Sequence, residues 1–414
     1  MGHYLNRYWQ PDGVGMTRVE RMGGAYHPYI PHTLCDLGMT LEPACATSVA
    51  RAQEALLQLD EKVRFLTVTE PLARIILRSE AISSSRIEGL EVPSGKLLVR
   101  EELDRLGVPV RADSTEEQVL GNVRALQEGV TSFSEGMRVD LEAILSLNRM
   151  LLANTRLADY GGVLRTSQNW IGGNRVNPVG AAFVPPEPEE VGRLLDDLLR
   201  FVNESELPGV AIAALTHAQF ETIHPFADGN GRTGRALVHL VLRSHGYERH
   251  VTSPVSLVLA TMREDYLDRL SAYRCEGKGE AVQLSNAWVE FFSRCVTIAC
   301  ERAMSFESVL DDIRMGWRER TSFRANSAGD LLIDVLPGTP VVSIATAAQL
   351  IGRSYPATRQ AVRSLEEAGI LKQNSRNRKS GIYVAEEVVS ALTTGLFRAC
   401  STVGALPTRH PSGL

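Results

Sequence analysis

Residues 224–235 read HPFADGNGRTGR, and the segments on both sides carry helical spacing. The run before it is GVAIAALTHAQFETI. The run after it, RALVHLVLRSHG, has Leu237, Leu240 and Val241 on one face. The chain must therefore pass from helix to helix through a short glycine-rich loop. A loop that feeds a helix N-terminus exposes backbone N–H groups, and Gly229 and Gly231 let a ligand approach them. Arg232 and Arg235 stand three apart on the first turn and project to one side. Two guanidiniums over an anion nest point to a polyphosphate. Asp228 adds a hard oxygen of the kind Mg²⁺ takes beside phosphates. His224, at the mouth, has a pKa suited to general-base work near neutral pH.

Context excludes two other phosphate motifs. Gly229-x-Gly231-x-x-Gly234 has the spacing of a dinucleotide fingerprint, but that fingerprint needs a preceding strand, and here a helix precedes it. No G-x-x-x-x-G-K-[ST] loop is present. A satisfied histidine among surface arginines would explain a lone His or a Gly pair, but not the whole string.

Helical spacing also covers about 43–88, where Leu56, Leu57, Leu59, Leu72, Ile75, Ile76 and Ile82 recur. After a Pro/Gly break at 93–95 it returns over roughly 115–134, 139–154, 188–203, 208–222, 231–245, 262–273 and 284–320. Residues 1 to about 40 read as irregular. Residues 165–188, RTSQNWIGGNRVNPVGAAFVPPEP, have hairpin or loop chemistry. The end of the 43–88 run poses a question. Glu88 is read as its last helical residue and Gly89 as the residue past the end, yet a helix C-terminus disfavours a carboxylate.

At ~100–200 residues per domain, 414 residues imply about two to four domains. Hydrophobic residues at 44% allow a sizeable core, and a net charge of −5 excludes a polybasic coat. The six cysteines form no C-x-x-C pair and read as reduced thiols. The N-terminus lacks the apolar run of a signal peptide, and Asn6 does not fit a myristoylation site. No run reaches the ~18 apolar residues of a membrane span. A cytoplasmic protein without a membrane partner is expected.

The string HPFADGNGRTGR resembles the signature of the Fic (filamentation induced by cAMP) family at every fixed position, and GGVLRTSQNWIGG, FVPPEP and HAQFETIHPF are similar to that family too. The resemblance covers roughly residues 30–320. It implies a mainly α fold, a helical bundle with a small β-hairpin flap at 172–186. It also implies a protein adenylyltransferase that moves AMP from ATP to a Ser, Thr or Tyr hydroxyl of a target protein, or of itself, and releases pyrophosphate. On this likeness His224 is the catalytic base and Asp228 holds Mg²⁺. Gly229, Asn230 and Gly231 donate to phosphate oxygens. Arg232 clamps the β-phosphate and Arg235 the γ-phosphate. REDYLDRL is similar to the segment lining the adenine pocket, with Tyr266 followed by Leu267 where the family often has paired tyrosines. Ser84-x-x-x-Glu88-Gly89 resembles the family's inhibitory motif [S/T]-x-x-x-E-[G/N], whose carboxylate would compete with the γ-phosphate for Arg235. Alternatives left open are removal of AMP, transfer of another nucleotide moiety, and a DNA-binding regulator with a sensing or silent Fic domain. Assembly as a homodimer is also open.

Residues 343–385 carry seven Lys or Arg against two Glu in a chain that is acidic overall. Their pattern resembles a winged helix-turn-helix. TAAQLIG is its first helix, TRQAVRSLEEAGIL its recognition helix, and KQNSRNRKSGIYV its wing. Arg359 and Arg363, four apart on one face, are candidates for DNA contact. The expected organisation is an irregular segment at 1–40, an N-terminal helical region with the inhibitory helix at 41–115, and a Fic core with following helices at 116–325. The winged-helix module follows at 326–395 and a tail at 396–414.

Overall fold

The computed structural model describes residues 2–11, 15, 17–64, 69–108, 113–374 and 381–398. The first forty residues are less irregular than their composition suggests. They hold β1 (His3–Tyr4), β2 (Arg7–Trp9), α1 (Arg18–Arg21), β3 (Gly24–Tyr26), β4 (Tyr29–Ile30) and α2 (Leu34–Leu37). β1 pairs antiparallel with β4, His3 opposite Ile30, and β2 pairs with β3, Arg7 opposite Tyr26. Strands of two or three residues are too short for an alternating pattern to reveal.

The helical region at 43–88 is two helices, α3 (Pro43–Arg64) and α4 (Thr69–Ile87). Next comes α5 (Ser94–Arg105), which the sequence did not lead us to expect. Pro93 and Gly95 look like a break, but Pro93 stands at the N-cap and the helix starts directly behind it. In α6 (Thr115–Ser132) the Ser114 hydroxyl accepts the Glu117 N–H, and in α7 (Leu141–Leu152) Asp140 accepts that of Ala143.

The centre follows from burial. α8 (Pro188–Glu204) is amphipathic, with Val191, Leu194, Leu195, Leu198, Phe201 and Val202 inside. In α9 (Gly209–Ile223) every residue is buried, the polar Thr216, His217, Gln219, Glu221 and Thr222 included, so the helix runs through the centre of the bundle. α10 (Asn230–Ser244), α8 and α3 pack around it. α11 (Val255–Thr261) and α12 (Arg263–Ala272) lead into α13 (Lys278–Glu319). With 42 residues α13 is roughly 63 Å long. It runs along α3 and touches α9, where the Trp288 indole donates to Ala214 O at 2.7 Å. No helix among the described residues is long and apolar enough to cross a membrane.

The C-terminal part consists of α14 (Ala328–Val335), β5 (Val341–Ser343), α15 (Ile344–Ile351), α16 (Tyr355–Glu367), β6 (Lys372–Gln373), β7 (Ile382–Val384) and α17 (Glu386–Arg398). Its sheet has the order β5–β7–β6, all antiparallel, with Tyr383 opposite both Val342 and Gln373. Ser343 caps α15, and Gly352 ends it at φ 61°. This part is attached to the rest. The Ser343 N–H donates to the buried Glu102 carboxylate of α5 at 2.7 Å, and α17 lies against α13 and α5. Arg376, Arg378 and Lys379 of the expected wing, and the tail from 399 with Cys400, lie outside the described residues.

Candidate active site

α9 ends on His224, which adopts the left-handed conformation at φ 52° while its N–H bonds Phe220 O. Few non-glycine residues do this. The turn throws the chain out of α9, and the loop then returns to start α10 behind Gly229, at φ 78°. Side chains hold the loop closed. The Asn230 amide accepts from Phe226 N at 2.8 Å and donates to Phe226 O at 2.9 Å. Asn148 of α7 donates to Asp228 O at 3.0 Å. Arg165 is buried and donates to four carbonyls: His224 at 2.9 Å, Pro186 at 2.5 Å, Ile223 at 3.3 Å and Ser167 at 3.3 Å. Asn169 adds a bond to Phe226 O. Asn230 thus departs from its expected part, because its side chain is used on the loop and only its main-chain N–H is left for a ligand.

The His224 Nδ1 lies 3.4 Å from Glu221 O and 4.0 Å from the Glu221 carboxylate. Burial, helped by the charge of Arg274, pushes the imidazole down to about 4. It is therefore neutral at physiological pH with a lone pair free to accept, but its pKa lies well below the near-neutral range expected from the sequence. Burial pushes Glu221 up to about 7 against the pull of Arg235. Glu221, Arg165 and Asn148 were not singled out in the sequence. Arg165 lies in a loop, and Asn148 and Glu221 stand on helices that carry other polar residues, so no local pattern marks them.

The two arginines of α10 differ in occupancy. Arg232 is 4% exposed, and its buried Nε and Nη1 have no hydrogen-bond partner among the described residues. Arg235 is 2% exposed and is bonded through Nε and Nη2 by the end of α4. Its Nε donates to Ser84 Oγ at 2.9 Å, and its Nη2 donates to Ser84 O at 2.8 Å and to Glu88 Oε1 at 2.7 Å. Burial disfavours the charge on Arg235, and Glu88, with smaller contributions from Tyr266 and Glu221, overcomes it and raises the pKa. α4 stops at Ile87, so Glu88 sits in the turn just beyond it, followed by Gly89 at φ 78°. A Cβ added to Gly231 would overlap Glu88 Oε1, so the carboxylate lies against the first turn of α10.

Asp228 is exposed, and its Oδ1 accepts the N–H of Gly229 at 2.7 Å. The described residues contain no cluster of three His, Cys, Asp or Glu able to hold a metal. A single carboxylate next to unpartnered phosphate donors fits a Mg²⁺ that takes its other oxygens from substrate and water.

Two expectations change. Segment 172–186 is a loop rather than a laddered hairpin. One bridge, Ile171 to Phe183, closes it, and Asn174 Oδ1 accepts the N–H groups of Val176 and Asn177 inside. Gly172 and Gly173, at φ 75° and 73°, turn the chain too sharply for a ladder. Tyr266 is core rather than pocket wall. It is 2% exposed, stacks on His217 and bonds that ring through its hydroxyl at 2.9 Å. Its ring therefore has no face free for a base. Arg359 and Arg363 are both exposed on α16, in the C-terminal part.

Residues 138–242 match the model of the Fic/DOC family, and residues 46–131 match that of the Fic/DOC family N-terminal region. Over 146 residues the chain is 32% identical to the Protein adenylyltransferase Fic of Drosophila ananassae, covering 34% of this chain and 27% of that protein. The protein of the same name from Drosophila virilis gives 32% identity, with 34% and 28% covered. The match thus spans little more than a quarter of these relatives. The fold resembles the crystal structure of a Fic family protein from Desulfovibrio desulfuricans G20, with a TM-score of 0.52 at 22% identity over 84% of this chain and 97% of that one. The loop and its two arginines thus fall inside the stretch that matches the Fic/DOC family model, and the helix that covers one of them falls inside the stretch that matches the family's N-terminal model.

Proposed function

We propose that this chain is a protein adenylyltransferase held in check by Glu88. The observation that carries this reading is the unequal state of two buried arginines on one helix turn. Arg232 has unpartnered donors, while Arg235 is taken by Ser84 and Glu88. An arrangement built to bind a polyphosphate is half filled by a carboxylate of the same chain.

In the proposed reaction the β-phosphate of ATP lies on Arg232 and the main-chain N–H groups at 229–231. Once Glu88 has left, the γ-phosphate lies on Arg235. Neutral His224 takes the proton of a Ser, Thr or Tyr hydroxyl of the target. The hydroxyl oxygen bonds to the α-phosphorus as the bond to the bridging oxygen breaks, and pyrophosphate leaves. Mg²⁺ beside Asp228 would neutralise phosphate charge when bound. Arg165 and Asn230 keep the loop in place, so the N–H donors are preorganised. Glu88 on Arg235 leaves the triphosphate without its outer anchor and misaligned for in-line attack. In this reading the protein is cytoplasmic.

Intact mass of a target incubated separately with ATP, UTP and GTP tests the chemistry. A gain of one AMP residue with ATP alone is the expected result. Gain with UTP or GTP instead, or loss of AMP from a premodified target only, favours the other nucleotidyl reactions.

We also propose that residues 326–395 form a winged helix-turn-helix that contacts duplex DNA. What supports this is the exposure of Arg353, Tyr355, Arg359, Gln360 and Arg363 on or next to α16. A gel shift with random duplex should show binding at low salt that weakens steeply as salt rises. Replacing Arg359 and Arg363 together should remove it.

A further inference from the structure

Two sets of contacts join α4 to α10. The first is the Ser84 and Glu88 contact with Arg235. The second lies one turn deeper on each helix, and the proposed chemistry does not use it. Glu80, Ser84 and Glu88 follow one another at i, i+4 and i+8, and Arg235 and His239 at i and i+4. Glu80 Oε1 is 3.2 Å from His239 Nε2, and His239 Nδ1 is 2.8 Å from Glu248 Oε2. None of the three side chains is more than 1% exposed. The Ser256 N–H donates to Glu80 at 2.7 Å and the Ser253 N–H to Glu248 at 2.8 Å, and both serine hydroxyls turn to the same carboxylates. α4, α10 and the start of α11 therefore meet on one imidazole. With a carboxylate at each nitrogen the ring is a cation. Burial opposes this, and Glu248 and Glu80 together overcome it and push the ring up to about 10.

A buried charge group with all its partners present is a fixed point, because removing one partner leaves an uncompensated charge. Glu88, at the other end of the same helix line, is 40% exposed. The inner contact is thus sealed and the outer one is open to solvent. Asn122 on Ala81 O and Arg263 on Ile87 O also hold α4, so weakening the cluster loosens the helix without detaching it.

We infer that the Glu80–His239–Glu248 cluster is a positioning site that sets how firmly Glu88 covers Arg235. The inference rests on the proposed role of Glu88 at Arg235. Glu80→Gln keeps the shape but turns an amide N–H toward the donors of Ser256 or His239. Hydrogen exchange at the amides of residues 84–90 should accelerate, while α6 and α9 stay protected. Labelling from ATP should rise about fivefold or more in the native chain, and by less than about twofold where Glu88 is already Gly. If Glu80→Gln does not fold, Ser256→Ala removes only one hydroxyl donor and should give the same pattern more weakly. Unchanged exchange at 84–90 would overturn the inference. So would labelling that falls equally in both backgrounds, since the cluster would then only support α10. Faster exchange with no gain in labelling from Glu88→Gly would keep the cluster's role and overturn the inhibitory role of Glu88.

Discussion

Replacing Glu88 by Gly is expected to raise ATP-dependent labelling of protein at least about tenfold. A charge-assisted hydrogen bond contributes ~1.5–3 kcal/mol, and each ~1.4 kcal/mol is a factor of ten. Glu88 is 40% exposed, so solvent screens the pair and the lower end of that range applies. The substitution also suits the backbone, because Glu88 lies in a turn past the end of α4 and no helix hydrogen bond depends on its side chain. The Ser84 contacts to Arg235 stay in place, so the guanidinium keeps its position and gains a free face for the γ-phosphate. Labelling that stays level or falls, with the fold intact, would mean that Glu88 is a structural partner of Arg235 and not a switch.

Loss of His224 should act in the opposite sense and by more. A positioned general base contributes about 10²–10⁴-fold, so labelling should drop at least about a hundredfold. The effect is best read in the Glu88→Gly background, where the signal is highest. Asn is a cleaner replacement than Ala, because residue 224 sits at φ 52° and Asn tolerates that region. The ring contributes little to holding the loop. Its one backbone contact is at 3.4 Å, whereas Arg165, Asn169 and Asn230 fix the surrounding carbonyls. A stable His224→Asn protein that labels as well as its parent would remove the base from the mechanism.

Some of this could be read from residues alone, for a physical reason. The loop at 224–235 concentrates residue types that few folds place together, and the long amphipathic helices repeat their apolar positions often enough to be counted. The short strands at 3–30 and the helix Ser94–Arg105 were hidden, because two or three residues show no period and a proline can mark a start as easily as a break. Partnership across the chain was the other gap. Glu88 could be flagged as misplaced at a helix end, but its 2.7 Å contact with Arg235 spans 147 residues. Without a likeness to a known motif, no local pattern links the two. Glu80, His239 and Glu248 had no flag at all, since a buried charge cluster looks in sequence like three ordinary surface residues. Tyr266 shows the converse, because a tyrosine at the right distance from a motif can still be core.

The decisive measurement uses the full chain, its Glu88→Gly variant and the Glu88→Gly, His224→Asn double variant, each incubated with cell lysate, Mg²⁺ and ATP labelled on either the α- or the γ-phosphate. AMP transfer under Glu88 control predicts protein bands from the α label that are weak with the native chain, strong with Glu88→Gly and absent from the double variant, and no bands from the γ label beyond those of lysate alone. Bands that appear with the γ label and depend on the added protein, or α-labelled bands that persist in the double variant, would contradict it.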